Sequence, residues 1–411
     1  MHWLKHADVR KIASRTALSC LAVLLALFSY AQKSVLSEGQ WFKLAVTETG
    51  IYRLDEDLIA RMGVDITGIY PSGIRIYGNG GAMLPQSNKS GYVNALTENA
   101  IWVSGEDDGK FDKGDAVYFY AQGPHVVRYD AANAELRHQI NYYSDSSFYF
   151  ITFGETNGLR VKSDAGLATP ASQTIRQFDD YWFHETESSN TLKSGRDWWG
   201  EYLGGTQGFS IQVSMPGVVP SSDFKLRTST IGAAQVPTRF IWQVNGGEVG
   251  QEAIGTVSPG TYDVKALQTG STYIVRNAPA SGNFTIGVTY SKNGQSSAEA
   301  YLDYIGLQVK RELRSYQGQQ TYYFLPQTDD TATYQFAGTA EGVSLWNITN
   351  PLVPLAVASK DAAGAFKWTA RGARTLQTYI GFKPGDALVP ANWKGVAPQN
   401  IAASNTPDML I

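Results

Sequence analysis

One stretch of the sequence gathers the oxygen ligands that a hard cation wants. Ser104-Gly105-Glu106-Asp107-Asp108-Gly109-Lys110-Phe111-Asp112-Lys113-Gly114-Asp115 is twelve residues long and can be laid on a calcium-loop template. Ser104, Glu106 and Asp108 take positions 1, 3 and 5, Gly109 the sharp turn at 6, the Lys110 carbonyl position 7, and Asp112 and Asp115 positions 9 and 12. Alternate positions converge because such a loop wraps its ion. Ser at position 1 and Asp at position 12 depart from the helix–loop–helix pattern, and the flanking runs read as strands. The competing reading is an acidic turn between Trp102-Val103 and Val117-Tyr118, kept tight by Gly105, Gly109 and Gly114. The acidic turn is the favoured reading, so no cofactor is expected; calcium, with Ser104, Glu106, Asp108, Lys110, Asp112 and Asp115 as its ligands, is the one candidate.

The other chemistry-bearing residues are sparse. His125, His138 and His184 are scattered, without the spacing of a metal-binding pair, and read as surface or packing residues. Gly78-Asn79-Gly80-Gly81 lacks the strand–helix context of a phosphate loop and reads as a tight bend. Trp198-Trp199 with Tyr202 has the composition of a sugar-stacking platform, although aromatics more often serve core or interface packing. The carboxylates form no recognisable pair for glycoside hydrolysis.

Composition narrows the classes. The chain has 411 residues, 43% hydrophobic and 17% charged, with a net charge of −3. Such a chain folds into two or three domains, carries no electrostatic footprint for nucleic acid, and has too much apolar content for wholesale disorder. Residues 1–31 read as a secretory signal peptide. Lys5, Arg10, Lys11 and Arg15 form the basic region, Ala17 to Phe28 the apolar one, and Ser29-Tyr30-Ala31 a small-residue cleavage site. Twelve apolar residues reach about 18 Å as a helix, short of a roughly 30 Å bilayer core, which argues against an anchor. The single cysteine, Cys20, lies in this segment. The mature chain therefore has neither a cysteine nucleophile nor a disulfide.

The elements that hold these residues are β-type. Residues 32–165 read as an N-terminal β-rich domain: Trp41 to Val46 and Gly50 to Leu54 around a turn, a short helix capped by Asp55 and ended by Gly63, then further short runs between turn signals. Residues 166–195 are polar and read as a linker. Residues 196–312 alternate cleanly, with Asn245-Gly246 marking a hairpin, and read as a β-sandwich. Residues 313–404 read as a less regular β-rich region, with Phe366 to Thr369 and Thr378 to Phe382 as a pair. Pro407-Asp408-Met409-Leu410-Ile411 starts an apolar run like a buried parallel strand, so 405–411 reads as the start of another domain.

These segments, in order, resemble the gingipain-like cysteine peptidases of the Bacteroidetes. The resemblance rests on Trp41-Phe42-Lys43-Leu44-Ala45-Val46-Thr47-Glu48-Thr49-Gly50-Ile51-Tyr52, on Ile74-Arg75-Ile76-Tyr77-Gly78-Asn79-Gly80-Gly81, and on Gly105 to Asp115 followed by Ala121-Gln122-Gly123-Pro124. Ala300-Tyr301-Leu302-Asp303-Tyr304-Ile305 and Leu345-Trp346-Asn347-Ile348-Thr349-Asn350-Pro351 complete it, and it spans most of 35–411. It is strongest toward the family's type IX secretion sortases. It implies a caspase-like α/β peptidase domain beginning near Asp408, with the catalytic His and Cys beyond this segment, so no catalytic residue is expected here. It also implies export across the inner membrane to the outer membrane, cell surface or medium. The implied task is cleavage of C-terminal signals from cargo proteins. The implied partners are the peptidase domain, secretion-system outer-membrane components and cargo signal domains, with no nucleic acid.

The fold expected is mainly β: two or three tandem β-rich modules including a sandwich, leading into that peptidase domain. The alternative is an extracellular β-sandwich binding or adhesion protein without peptidase activity.

Overall fold

The computed structural model describes residues 34–400 apart from 88, 92, 94, 192, 194, 196, 206, 207, 261 and 262. The expected signal peptide and the run 405–411 lie outside the described residues. The fold is mainly β, as expected. No helix among the described residues is long and apolar enough to cross a membrane.

The first module is a sandwich. Trp41–Val46 and Gly50–Asp55 do not pair with each other; the turn between them sends the chain from one sheet to another. Trp41–Val46 lies in a five-stranded sheet beside Ser147–Phe153. Gly50–Asp55 lies in a three-stranded sheet with Ala116–Ala121, which in turn pairs with Ile101–Ser104. Leu44, Val46, Tyr52, Leu54, Val117, Phe119 and Ile151 fill the space between. The helix Glu56–Arg61 forms as the sequence suggests. The Asp55 carboxylate accepts from Leu58 N–H at 2.9 Å, acidic residues occupy the first turn and Arg61 the last, matching the helix dipole. Gly63, at φ +87°, follows it.

Ala116–Ala121 is buried at all six positions. Val117, Phe119 and Ala121 face the first core. Ala116, Tyr118 and Tyr120 join a second cluster with Ile51, Trp346, Ile348, Ile380 and Phe382. A strand covered on both faces loses the polar alternation of a half-exposed one, and here that second face joins the first module to the rest of the chain.

The rest is organised by one long sheet. Its order is Lys162–Asp164, Leu355–Val357, Ser344–Asn347, Gln377–Phe382, Gln320–Phe324, Gln177–Glu185, Glu299–Glu312, Phe224–Ala233, then Leu267–Thr269, with Thr272–Val275 also on Phe224–Ala233. A four-stranded sheet (Phe209–Ser214, Asn283–Ser291, Thr238–Val244, Gly247–Ile254) packs on one half over Phe240, Trp242, Phe284, Leu302 and Leu307. A three-stranded sheet (Thr174–Ile175, Thr331–Gln335, Lys367–Arg371) packs on the other half over Tyr322, Phe324, Tyr334, Trp368 and Tyr379. Asn245 at φ +50° and Gly246 at φ +80° make the expected hairpin turn between Thr238–Val244 and Gly247–Ile254.

Three readings of the sequence change. The stretch 166–195, read as a linker, carries Gln177–Glu185, a strand in the middle of the long sheet that pairs with Glu299–Glu312 over nine positions. Its polar residues are neutralised there: Lys310 bonds Asp179 at 2.7 Å and Arg311 pairs with Asp180. The region 313–404 does not stand apart: four of its strands belong to the same long sheet as the sandwich, and Asn392–Val396 returns to pair with Trp41–Val46. Lys367–Arg371 pairs with Thr331–Gln335, whereas Gln377–Phe382 lies between Gln320–Phe324 and Ser344–Asn347, so the expected pair is split between two sheets.

Candidate functional site

The acidic loop folds as a clasp between Ile101–Ser104 and Ala116–Ala121. The Ser104 hydroxyl accepts from Ala116 N–H at 3.0 Å. Gly105 (φ +82°) and Gly109 (φ +77°) bracket a 3-10 turn over Glu106–Asp108. A Cβ on Gly105 would lie 1.7 Å from Asp115 Oδ1, so only glycine lets that carboxylate tuck in. The acidic side chains then diverge. Glu106 binds the Arg160 guanidinium at 2.8 Å, Asp108 accepts from Lys110 N–H at 2.9 Å, and Asp115 accepts from Asp112 N–H at 2.9 Å. Phe111 is buried in the first core. The loop thus ties the Asp115 carboxylate to the Asp112 backbone and turns Glu106 and Asp108 to other partners.

Carboxylates do gather elsewhere. Among the described residues, Glu185, Glu187 and Asp303 are the group whose oxygens all lie within 4.8 Å of one another. Glu185 ends the strand Gln177–Glu185, and Glu187 follows two residues later. Asp303 arrives by a bulge: opposite Phe224–Ala233 the register runs from Ser229↔Tyr304 to Thr230↔Leu302 and skips Asp303, the kind of irregularity that re-aims a side chain. Partial desolvation at the cavity mouth, then the neighbouring carboxylates of Glu185, Asp303 and Asp197, push Glu187, which keeps an exposed surface, up to about 7. Burial also raises Asp303, against a hydrogen bond from Ser229 that lowers it. Glu187 and Asp303 line a cavity of about 340 Å³ with Asp197, Trp198, Trp199 and Gln268. Chemically, Glu187 can hold a proton near neutral pH, or the three carboxylates can offer one oxygen each to a hard cation.

Trp198, Trp199 and Tyr202 do not form one platform. Trp198 is exposed at this cavity, Trp199 is 4% exposed, and Tyr202 meets Tyr301 edge-on at 5.2 Å.

The histidines take packing roles. His138 belongs to the hairpin Val126–Asp130/Glu135–Gln139, which lies on the long sheet. Its Nδ1 is 2.7 Å from the Tyr181 hydroxyl and its Nε2 is 2.6 Å from Glu185 Oε2. Its ring stacks on Phe183 at 4.3 Å and meets Tyr304 edge-on at 4.9 Å. His184 pairs with Glu201 at 2.8 Å and stacks on Phe209. His125 Nδ1 accepts from Asn141 N–H.

The sequence reading missed Glu185, Glu187 and Asp303. Glu-x-Glu at the end of a strand is the available signal; the bulge that brings Asp303 has none.

No family model and no curated protein matches this chain. Among solved structures, dimeric latent PorU from Porphyromonas gingivalis matches with a TM-score of 0.75 and 20% identity, covering 92% of this chain and 35% of that one. The chain therefore has a PorU-like fold and spans about a third of the PorU chain. PNGF-II matches at a TM-score of 0.24 with 8% identity, over 68% of this chain and 58% of that one. The delta-endotoxin Cry8Ea1 of Bacillus thuringiensis matches at 0.21 with 14% identity, over 60% and 43%. These two carry no part of the reading that follows.

Proposed function

We propose that this chain is the non-catalytic part of a cell-surface cysteine endopeptidase of the type IX secretion sortase kind, which removes C-terminal signals from exported cargo. The observation that carries this reading is the PorU-like fold over 92% of the chain. The absence of any cysteine between residues 32 and 411 agrees with a nucleophile supplied by a separate peptidase domain. In this reading the modules hold that domain and present it to outer-membrane secretion components and cargo signal domains.

The test is genetic. Deleting the coding region for residues 34–400 in the host should leave secreted cargo with intact C-terminal signal domains, detected by mass spectrometry of the surface and medium fractions. Cargo processed as in the parent strain would overturn the reading in favour of a separate binding or adhesion protein.

A further inference from the structure

The long sheet forks. Gln177–Glu185 pairs with Glu299–Glu312 along its whole length on one side. On the other side it meets Gln320–Phe324 only at Asp179↔Tyr323. Beyond that point, Gln320–Phe324 pairs away from the fork, with Gln377–Phe382. Among the described residues, no backbone hydrogen bond reaches the edge Tyr181–Glu185 from any strand other than Glu299–Glu312. The Tyr181 N–H is held by the Asp180 carboxylate at 2.9 Å, and the four residues 182–185, about 14 Å of strand, are left open.

A cleft of about 540 Å³ occupies the fork, a volume within the range of ligand-binding clefts. Tyr181 and Phe183 line it from one arm, Thr321 and Tyr323 from the other, and Tyr120 and Val127 from the first module. Tyr120 is 5% exposed, and neither its hydroxyl nor that of Tyr323 has a hydrogen-bond partner among the described residues. Burial holds both phenols well above their usual range. Among the residues lining the cleft, Glu48 and Asp180 carry carboxylates and none is a lysine or arginine. The Asp180 charge is matched by Arg311, which leaves Glu48 at the rim.

We propose that this cleft takes an extended peptide strand from a partner protein, neutral or basic in character, which pairs along Trp182–Glu185 and continues the sheet into the fork. Open strand edges recruit strands through their main-chain groups, and side-chain pockets beside the edge select the sequence. The uncompensated Glu48 disfavours acidic peptides. The proposal stands on this chain's own geometry and does not rest on the peptidase reading.

The test uses the full chain and a fluorescein-labelled hexapeptide of alternating valine and threonine with one lysine. Glutamate replaces the lysine in the control peptide, and maltohexaose is the saccharide control. Binding is read by anisotropy, and backbone amide exchange is read at 182–185. The lysine peptide should bind, slow exchange at 182–185, and bind at least threefold better than its glutamate counterpart. Thr321→Trp, which fills the cleft, should weaken it at least tenfold; if that variant melts early, Thr378→Trp fills the cleft from a neighbouring strand. Tyr120→Phe with Tyr323→Phe should leave main-chain pairing within about threefold of the parent. The proposal is overturned if millimolar peptide leaves exchange at 182–185 unchanged, if binding survives a filled cleft in a folded variant, or if maltohexaose alone protects the edge and needs the two hydroxyls.

Discussion

The Gln319 side chain stands in for a strand beside Ile51. Its Oε1 accepts from Ile51 N–H at 2.6 Å, and its Nε2 donates to the Ile51 carbonyl and to the Asp386 carbonyl, both at 3.0 Å. Ile51 is fully buried in the cluster that joins the first module to the long sheet. One amide thus ties three segments together at the junction. Gln319→Ala leaves the Ile51 N–H without its partner and should cost about 1–3 kcal/mol. Urea unfolding followed by tryptophan fluorescence measures it; a loss under about 0.5 kcal/mol would mean that water replaces the amide.

The carboxylate of Glu187 makes stability fall with rising pH. Its folded pKa of about 7 lies above the usual carboxylate value, so the folded chain holds the proton more tightly than the unfolded one. Ionisation therefore costs stability as pH rises from about 4.5 to about 7, and the full cost is present above that. Glu187→Gln should gain stability over the parent across this window and keep a constant gain beyond it. Melting both proteins from pH 4 to pH 8 checks the sign; a difference that does not vary with pH would remove Glu187 from the account.

His138 fastens the hairpin Val126–Gln139 to the long sheet. Its side chain is 3% exposed and its removal strands Glu185 and Tyr181, so His138→Ala should cost about 2–4 kcal/mol. The hairpin turn near Asn133 should become cleavable by proteases at concentrations that spare the parent. A parent-like cleavage pattern would show that Leu136 and Glu135 hold the hairpin without the histidine.

The clasp at Ser104–Asp115 needs glycine at position 105. Gly105→Ala meets both a positive φ and the Asp115 carboxylate, and should cost about 1–3 kcal/mol. Because Glu106 and Asp108 point to other partners, millimolar calcium should leave the melting temperature where chelator leaves it. A calcium-dependent rise that Asp108→Ala with Asp112→Ala abolishes would mean that the loop rearranges around a cation.

Ending the chain at Pro390 removes the strand Asn392–Val396 and bares one edge of Trp41–Val46. That form should aggregate at concentrations where a chain ending at Asn400 does not, as light scattering would register. Equal solubility would mean that the edge is protected by other residues.

Local signals in the sequence hold where local chemistry decides the outcome. Asn245-Gly246 made its hairpin, and Asp55 capped its helix. The strand Gln177–Glu185 was disguised because Asp179, Asp180 and Glu185 look like loop residues until Lys310, Arg311 and His138 are placed beside them. Those partners come from elements far along the chain. The cluster of Glu185, Glu187 and Asp303 was hidden for the same reason, compounded by a bulge that shifts Asp303 out of the alternation expected of its strand. The pairing of Lys367–Arg371 with Thr331–Gln335 was missed because alternation says which face a residue takes, not which neighbour its strand chooses.

The return of Asn392–Val396 to Trp41–Val46 sets an order in time. Nearly 350 residues separate the two strands, and at synthesis rates of about 5–20 residues per second the second follows the first by roughly 20–70 s. Throughout that interval the outer edge of Trp41–Val46 has no native partner, so the first module is completed last although it is made first. Until Asn392–Val396 arrives, that edge is a site where a neighbouring chain's strand can pair instead.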